Sequence, residues 1–396
     1  LNGVTLPDPV ILAACRTAVG TAYRGTLTET TAFDLAEVVA VEALHRSGLE
    51  AADIDDLILA ENLYGGGVIA RYVAARAGLT GVPGMALNRH CAGGMSAVQV
   101  AASSIAAGMD SAVIAGGTNS QSTSPSSRWQ EPGAAEPSDG WISPSHPGTP
   151  EAPSLDMSIT VGWNAAVEAG LTREQLDAWG YRSHQRAVAA IGEGRFVEEI
   201  VPMTITKAGE TLTWEVDEHP RRTSTLEKMA SLPPLHPEIE GFSITAGNSA
   251  GLNDGAAALC LASSDLAATR GLTPLATVRS WASVGVEPAR TGMAPIDAIP
   301  KALSRAGLGI EDVHLFEINE AFASVPVAAV AALGLDEEIV NVSGSGCSLG
   351  HPISATGARM LTTLVYELQR RGGGIAVGAM CAGGGMGSAT VIEVPG

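Results

Sequence analysis

The chain states one pattern of elements twice, and that repeat limits the folds open to it more than any other feature. Ser47-Gly48-Leu49 followed by Asp53-Ile54 is echoed by Ala306-Gly307-Leu308 followed by Asp312-Val313. Each pair follows a stretch of helical periodicity, Asp34 to Arg46 and Pro295 to Arg305, and precedes an apolar run of strand length, Leu57 to Ala60 and Leu315 to Ile318. A helix then comes in each copy, around Ile69 to Ala77 and Ala321 to Leu333, and a further strand, Met85 to Asn88 and Ile339 to Val342. The first copy reaches Cys91 38 residues after Asp53, and the second reaches His351 39 residues after Asp312. Both introduce a small-residue helix, Ser96 to Ala107 and Ala355 to Arg371, that leads to a strand, Ala112 to Gly117 and Gly374 to Gly378. This alternation predicts parallel or mixed sheets covered by helices. Two such halves facing each other across a pseudo-twofold axis would bring Cys91 and His351 together.

The predicted boundaries follow from the repeat. Residues 1–118, completed by about 246–272, form the first half and 273–396 the second, with 119–245 inserted between them as a loop domain. The start of the insertion, Ser120 to Pro153, is rich in Ser, Pro and Gly and reads as irregular. Thr172 to Ile191 reads as a helix capped by Thr172, and Ala256 to Ala262 as the last strand of the first half.

Composition narrows the function classes. A length of 396 residues, 45% of them hydrophobic and 16% charged, describes a folded protein with a large core. A net charge of -19 argues against nucleic acid as a partner, and an anionic ligand would need a local basic patch. The five cysteines, Cys15, Cys91, Cys260, Cys347 and Cys381, are widely spaced without metal-ligand pairing and read as reduced thiols of a cytoplasmic protein. No apolar run is long enough to span a membrane. Leu1 to Pro9 lacks a secretion pattern, and Val394-Pro395-Gly396 is not a peroxisomal address.

Cys91 lies in Asn88-Arg89-His90-Cys91-Ala92-Gly93-Gly94, where a strand gives way to a helix. Peptide N–H groups at a helix start favour a thiolate and are expected to lower its pKa. A cysteine beside glycines is more often explained by packing than by catalysis, so partners decide. Gly350-His351-Pro352 offers an imidazole at a helix start, or a histidine that satisfies a turn. Met380-Cys381-Ala382-Gly383-Gly384-Gly385 repeats the Cys-Ala-Gly-Gly string, with glycines able to aim N–H groups at an oxyanion or to make a structural turn. Asn319-Glu320-Ala321-Phe322-Ala323 puts two polar groups at a strand end, as ligand contacts or as a helix cap. Thr245 to Gly255 is too polar and glycine-rich for a mere linker, although a loop returning to the core would also fit. Cys15, Cys260 and Cys347 read as packing residues.

These five segments, in this order and spacing, resemble the thiolase family over essentially the whole chain. The resemblance implies an α/β thiolase fold in which two pseudo-twofold-related halves form a five-layered sandwich with an inserted loop domain. It implies a CoA-dependent acyltransferase that cleaves 3-ketoacyl-CoA with CoA, or forms it by Claisen condensation with acetyl-CoA. Cys91 would be the acylated nucleophile, His351 its base, and Cys381 the second proton-transfer group. His351 with a water held by Asn319 would form one oxyanion hole, and the N–H groups of Cys91 and Gly383 the other. CoA contacts would come from Arg221 and Lys228 in the loop domain, with Ser249, Ala250 and Met157 toward the pantetheine and acyl side. Acyl-CoA and CoA would be substrates, with no permanent cofactor, no metal and no nucleic acid, in a homodimer or homotetramer. A non-catalytic acyl-CoA-binding homologue and a ketoacyl synthase are the alternatives. The latter would not ordinarily carry Cys381 or the Asn319-to-Ala323 string.

Several positions depart from the common thiolase pattern. Ala92 follows the nucleophile where a Ser is usual, and Ala250 removes a hydroxyl expected near the pantetheine. Asp156-Met157 stands where His-Met is frequent, Gly162-Trp163 replaces a Glu-Asn pair, and His236 stands where a Phe is common. The expected consequence is an acyl pocket unlike that of an acetoacetyl-CoA specialist.

Overall fold

Pro9–Arg16 (β1) is buried along its whole length, as a strand covered on both faces must be. Around it the computed structural model, which describes residues 7–62, 64 and 67–396, builds one ten-stranded sheet. The other long strands are β2 (Asp56–Ala60), β3 (Gly84–Leu87), β4 (Ala112–Ser120), β5 (Asn253–Ser263), β6 (Ala276–Gly285), β7 (Leu315–Ile318), β8 (Gly374–Ala382) and β9 (Met386–Val394). Their order is β7-β8-β9-β6-β1-β5-β4-β2-β3, with the short strand Gly20–Thr21 added on β5. β2 runs parallel to both its neighbours and β7 parallel to β8, while the other pairs are antiparallel. The two halves of the sheet touch only at its centre, where Val10 faces Thr277 and Ile11 faces Ala276.

Side-chain alternation on this sheet generates the layers. Val10 and Leu12 of β1 enter an outer cluster with α1 (Ala32–Ser47) and α2 (Ile69–Arg76), whereas Ile11 enters a central one. α1 exists because Leu35, Ala36, Val39, Ala40 and Ala43 share a face, Thr31 and Asp34 form a capping box, and left-handed Gly48 ends it. The central cluster holds α3 (Gly93–Ala106) packed on α7 (Thr356–Arg370), and α7 is buried from Thr356 to Leu368. A third cluster joins the second half of the sheet to α5 (Ala294–Ala306) and α6 (Ser324–Leu333). Five layers result, helix-sheet-helix-sheet-helix, with α3 and α7 in the middle.

The second copy departs from the repeat at two places. Ile339 to Val342, expected as a strand, is a 3-10 turn with one parallel bridge between Phe316 and Val340. There Asn341, with φ of 53°, uses its side chain as a substitute strand: Oδ1 accepts the Ile318 N–H and Nδ2 donates to the Ile318 carbonyl. The helix expected from Ala321 begins only at Ser324, because Ala250 N–H donates to the Ala321 carbonyl and Ala323 N–H to Asn248, holding the preceding residues against 248–250.

The chain leaves the sheet after Ser120 and returns at Asn253. Its first stretch is mostly irregular, with one short hairpin, Ser127–Trp129 and Ser138–Trp141, on which Trp129 and Trp141 stack 4.8 Å apart. α4 (Arg173–Gly192) starts at Thr172 as expected, with Gln175 as its capping-box partner. The excursion is fastened to β1 by Arg16, which is fully buried, donates through Nε to Glu199 at 2.6 Å and grips both Asp217 oxygens at 2.8 and 2.9 Å. Removing one member of such a buried network strands the others, which costs about 3–5 kcal/mol. Arg16→Ala is therefore expected to lower the urea-unfolding free energy by about that amount.

Candidate active site

β3 ends at Leu87 and α3 begins at Gly93, and residues 88–92 between them form a strand-to-helix elbow that carries Cys91. The Asn88 Oδ1 accepts the His90 N–H at 2.7 Å, and His90 takes a left-handed φ of 45°, uncommon for a residue with a side chain. Ala92 and Gly93 N–H groups return to the Arg89 and His90 carbonyls, so α3 begins directly beyond the thiol. Arg89 pins the elbow from beneath by donating to Ser96 at 3.0 Å and Ser283 at 2.7 Å. Cys91 is partly exposed, in a cavity of about 430 Å³.

The pKa of this thiol moves opposite to the sequence expectation. Burial pushes it up to about 11, outweighing the N–H groups of Gly383 and of Cys91 itself, which pull it down. The Gly383 N–H thus faces the Cys91 sulfur in the cavity that both residues line. Gly384 and Gly385 behind it have φ of 86° and 78°, and a Cβ would lie 2.6 Å from the Ser145 carbonyl oxygen and 2.2 Å from that of Val286, respectively. Only glycine makes this turn between β8 and β9. Cys381, at the end of β8, is buried, and its pKa is raised by burial and by nearby Cys91.

His351 follows Gly350, whose φ of 101° and close approach to Asn253 exclude a side chain. Its own N–H donates to Asn253 Oδ1 at 2.9 Å. Thr356 Oγ1 lies 3.0 Å from the Pro352 carbonyl and 2.7 Å from His351 Nδ1. When its proton goes to that carbonyl, the ring proton sits on Nδ1 and Nε2 presents a lone pair. That Nε2 is buried without a partner, so no hydrogen bond to Cys91 is formed; Asn319 Oδ1 is likewise unpartnered. Burial, then the charge of Arg359, holds His351 neutral with a pKa near 3. Asn319 Nδ2 approaches His351 Nδ1 at 3.5 Å.

Glu320, beside Asn319, faces away from this chemistry. Its Oε1 accepts from Trp179 and Asn341, both at 2.8 Å, and its Oε2 from Ser183 at 2.6 Å and the Cys347 N–H at 3.1 Å.

A second cavity, of about 340 Å³, holds Arg221 and Ala250 together with Arg24, Tyr23, His184 and His219, none of the last four apparent from the sequence. Burial lowers His184 to about 3 and His219 to about 4, so both rings are neutral near pH 7 and the arginines supply the charge. Met157 lines the first cavity beside Cys91. Lys228 and Ser249 line neither cavity. The Lys228 ammonium donates to the Thr223 carbonyl at 2.7 Å and the Ser249 hydroxyl to Thr245 at 2.7 Å. Cys15 and Cys260 are core residues, and Cys347, though buried, borders the second cavity.

Two departures from the family pattern prove to be one. His236 Nε2 lies 2.9 Å from Asp156 Oδ2, and its Nδ1 2.8 Å from Glu238. The Glu238 hydrogen bond and then Asp156 raise the His236 pKa. Gly162, another departure, makes room for Phe322, whose ring would lie 2.8 Å from a Cβ there. Among the described residues, no group of three or more His, Cys, Asp or Glu could hold a metal, and no helix is long and apolar enough to cross a membrane.

Two thiols, an unprotonated imidazole nitrogen and a glycine-lined turn in a five-layered α/β fold define a class of thiol-dependent acyl-transfer proteins. Residues 9–265 match the thiolase N-terminal domain and residues 272–394 the thiolase C-terminal domain; the chain belongs to the thiolase family. It is 40% identical to an acetyl-CoA acetyltransferase of Syntrophomonas wolfei over 98% of this chain and 99% of that one. It is 38% identical to a 3-ketoacyl-CoA thiolase of Bacillus subtilis, covering 98% and 100% of the two chains. The crystal structure of human mitochondrial 3-ketoacyl-CoA thiolase superposes with a TM-score of 0.90 at 33% identity, over 99% of this chain and 100% of that one. That of the Bacillus anthracis acetyl-CoA acetyltransferase does so with a TM-score of 0.89 at 37% identity, with the same coverage.

The raised thiol pKa sets a pH dependence. Below that pKa the thiolate fraction grows about tenfold per pH unit, so Cys91 alkylation by iodoacetamide in the free protein should rise by about that factor per unit from pH 7 to 9. Mass spectrometry of the Cys91 peptide measures it, and a rate already level at pH 7 would reveal a thiolate.

Proposed function

We propose that this thiolase-family acyltransferase cleaves 3-ketoacyl-CoA with coenzyme A, or runs the reverse Claisen condensation, through an acyl group carried on Cys91. The observation that carries this reading is the placement of the Gly383 N–H and the Cys381 thiol around one sulfur. In the cleavage direction His351 Nε2 takes the Cys91 proton and the sulfur attacks C3 of the 3-ketoacyl group. The oxygen that becomes negative is held by the N–H groups of Cys91 and Gly383. The C2–C3 bond breaks, its electron pair remains on the acetyl-CoA fragment, and Cys381 supplies the proton that quenches it. The Cys381 thiolate then takes the thiol proton of incoming CoA, whose sulfur displaces the acyl group; Cys91 leaves as a thiolate and recovers its proton from His351. A second carbonyl, that of the thioester, is served by His351 and by Asn319 through a water.

The acidic chain must hold an anionic coenzyme. Arg221, with Ala250 in the second cavity, is our assignment for its nucleotide end, and the peripheral position of Lys228 leaves it a lesser part. Trp141, Ile142 and Leu155 around the Cys91 cavity support an acyl group larger than that of acetoacetyl-CoA.

Mass spectrometry after incubation with a 3-ketoacyl-CoA series should show an acyl adduct on Cys91 that Cys91→Ala abolishes; a folded protein that neither forms it nor turns over any chain length refutes the reading. Arg221→Ala should raise KM for CoA about tenfold with a smaller change in kcat, the mark of lost ground-state binding.

A further inference from the structure

The acyl side of the Cys91 cavity contains a serine and a histidine for which the thiol chemistry has no use. Ser145 lines this cavity, and His146 is buried directly behind it. His146 Nε2 lies 2.9 Å from the Ala152 carbonyl oxygen, which has only lone pairs to offer. In the neutral ring Nε2 must therefore carry the proton, leaving Nδ1 as an acceptor. Nδ1 lies 2.8 Å from Ser145 Oγ, and the other neighbour of that hydroxyl is the Ser154 carbonyl at 3.3 Å. Both are acceptors, so the single Ser145 proton is committed inside the protein. The remaining capacity of Oγ is to accept.

Ser145 also stands close to the reacting atoms. A Cβ on Gly383 would lie 3.8 Å from Ser145 Oγ and 3.7 Å from the His90 ring. Gly383 is the residue whose N–H faces the Cys91 sulfur. An acceptor oriented by a buried histidine therefore lines the same cavity as Cys91, together with apolar Ile142, Leu155 and Met157 and with Ser143 and Ser154.

We propose that Ser145 is a specificity-determining residue that accepts a hydrogen bond from a hydroxyl borne on the acyl chain a few carbons from the 3-keto group, with His146 as its positioning residue. The preferred substrates form the class of hydroxylated 3-ketoacyl-CoA thioesters. This inference rests on the thiolase reading and deepens it.

The test compares thiolysis of 5-hydroxy-3-oxohexanoyl-CoA with that of 3-oxohexanoyl-CoA. The wild-type protein should favour the hydroxylated thioester by about tenfold or more in kcat/KM, the scale of one oriented hydrogen bond. Ser145→Ala should bring the ratio to about one, Ser145→Thr should retain most of it, and His146→Gln should reduce it. A purely structural role for Ser145 would slow both substrates together and leave the ratio standing. A wild-type ratio near one, or a preference that survives Ser145→Ala, overturns the inference while the thiolase reading stands. Absence of turnover with both thioesters, together with no acyl adduct on Cys91, removes the thiolase reading and this inference with it.

Discussion

The positions of the His351 imidazole and the Asn319 amide depend on a carboxylate that has no part in the proposed chemistry. Glu320 is buried, and its two oxygens receive four hydrogen bonds from three separate segments: Trp179 and Ser183 on α4, Asn341 in the turn that replaces a strand, and the Cys347 N–H before His351. A buried carboxylate is costly unless its lone pairs are satisfied, so the lowest-energy arrangement brings all three segments to one point. Asn319 is covalently next to that point, and Gly346 packs against the Glu320 carbonyl so tightly that a Cβ would lie 2.6 Å away. The inserted region is thereby bound to the second half at the place where the site is built.

The same logic explains which polar atoms are left over. Around the site His351 Nε2 and Asn319 Oδ1 are buried without partners, as are Ser354 Oγ and Arg359 Nε. Such orphans cost free energy in the resting protein, and on the proposed mechanism the first two would receive a reacting atom or a water. The high pKa of Cys91 and the low pKa of His351 fit this picture, since both groups rest neutral in a poorly solvated setting. On the proposed mechanism charge would appear there only during reaction, and the Cys91 and Gly383 N–H groups would meet it.

The repeat made the fold legible, because helix and strand periods recur at matching distances from Asp53 and Asp312. It also suggests a pairing of Cys91 with His351, and the second Cys-Ala-Gly-Gly string suggests Cys381 as a further partner. What the sequence concealed has physical reasons. The strand read over Ile339 to Val342 has the right composition, but the Asn341 side chain satisfies Ile318 more locally than a strand would. The thiol pKa was misread because a helix start is visible in sequence and desolvation is not. Lys228 stands out by its charge, and one of its three ammonium donors goes to the Thr223 carbonyl. Tyr23, Arg24 and His184 meet Arg221 only through tertiary folding, and nothing in their local patterns announces it. Ser145-His146 was readable as a dipeptide, but its orientation came from Ala152 and Ser154 across a loop.

The contact between Asp156 and His236 bears on how this chain could have diverged from its relatives. The two residues lie 80 positions apart in sequence and within 2.9 Å in space. An aspartate acquired first would have faced an apolar ring, and a histidine acquired first would have lacked its anionic neighbour, so each change alone removes something without supplying its counterpart. Exchanging either residue alone therefore leaves the other without its counterpart, so a relative's residue grafted into one position needs the second change with it.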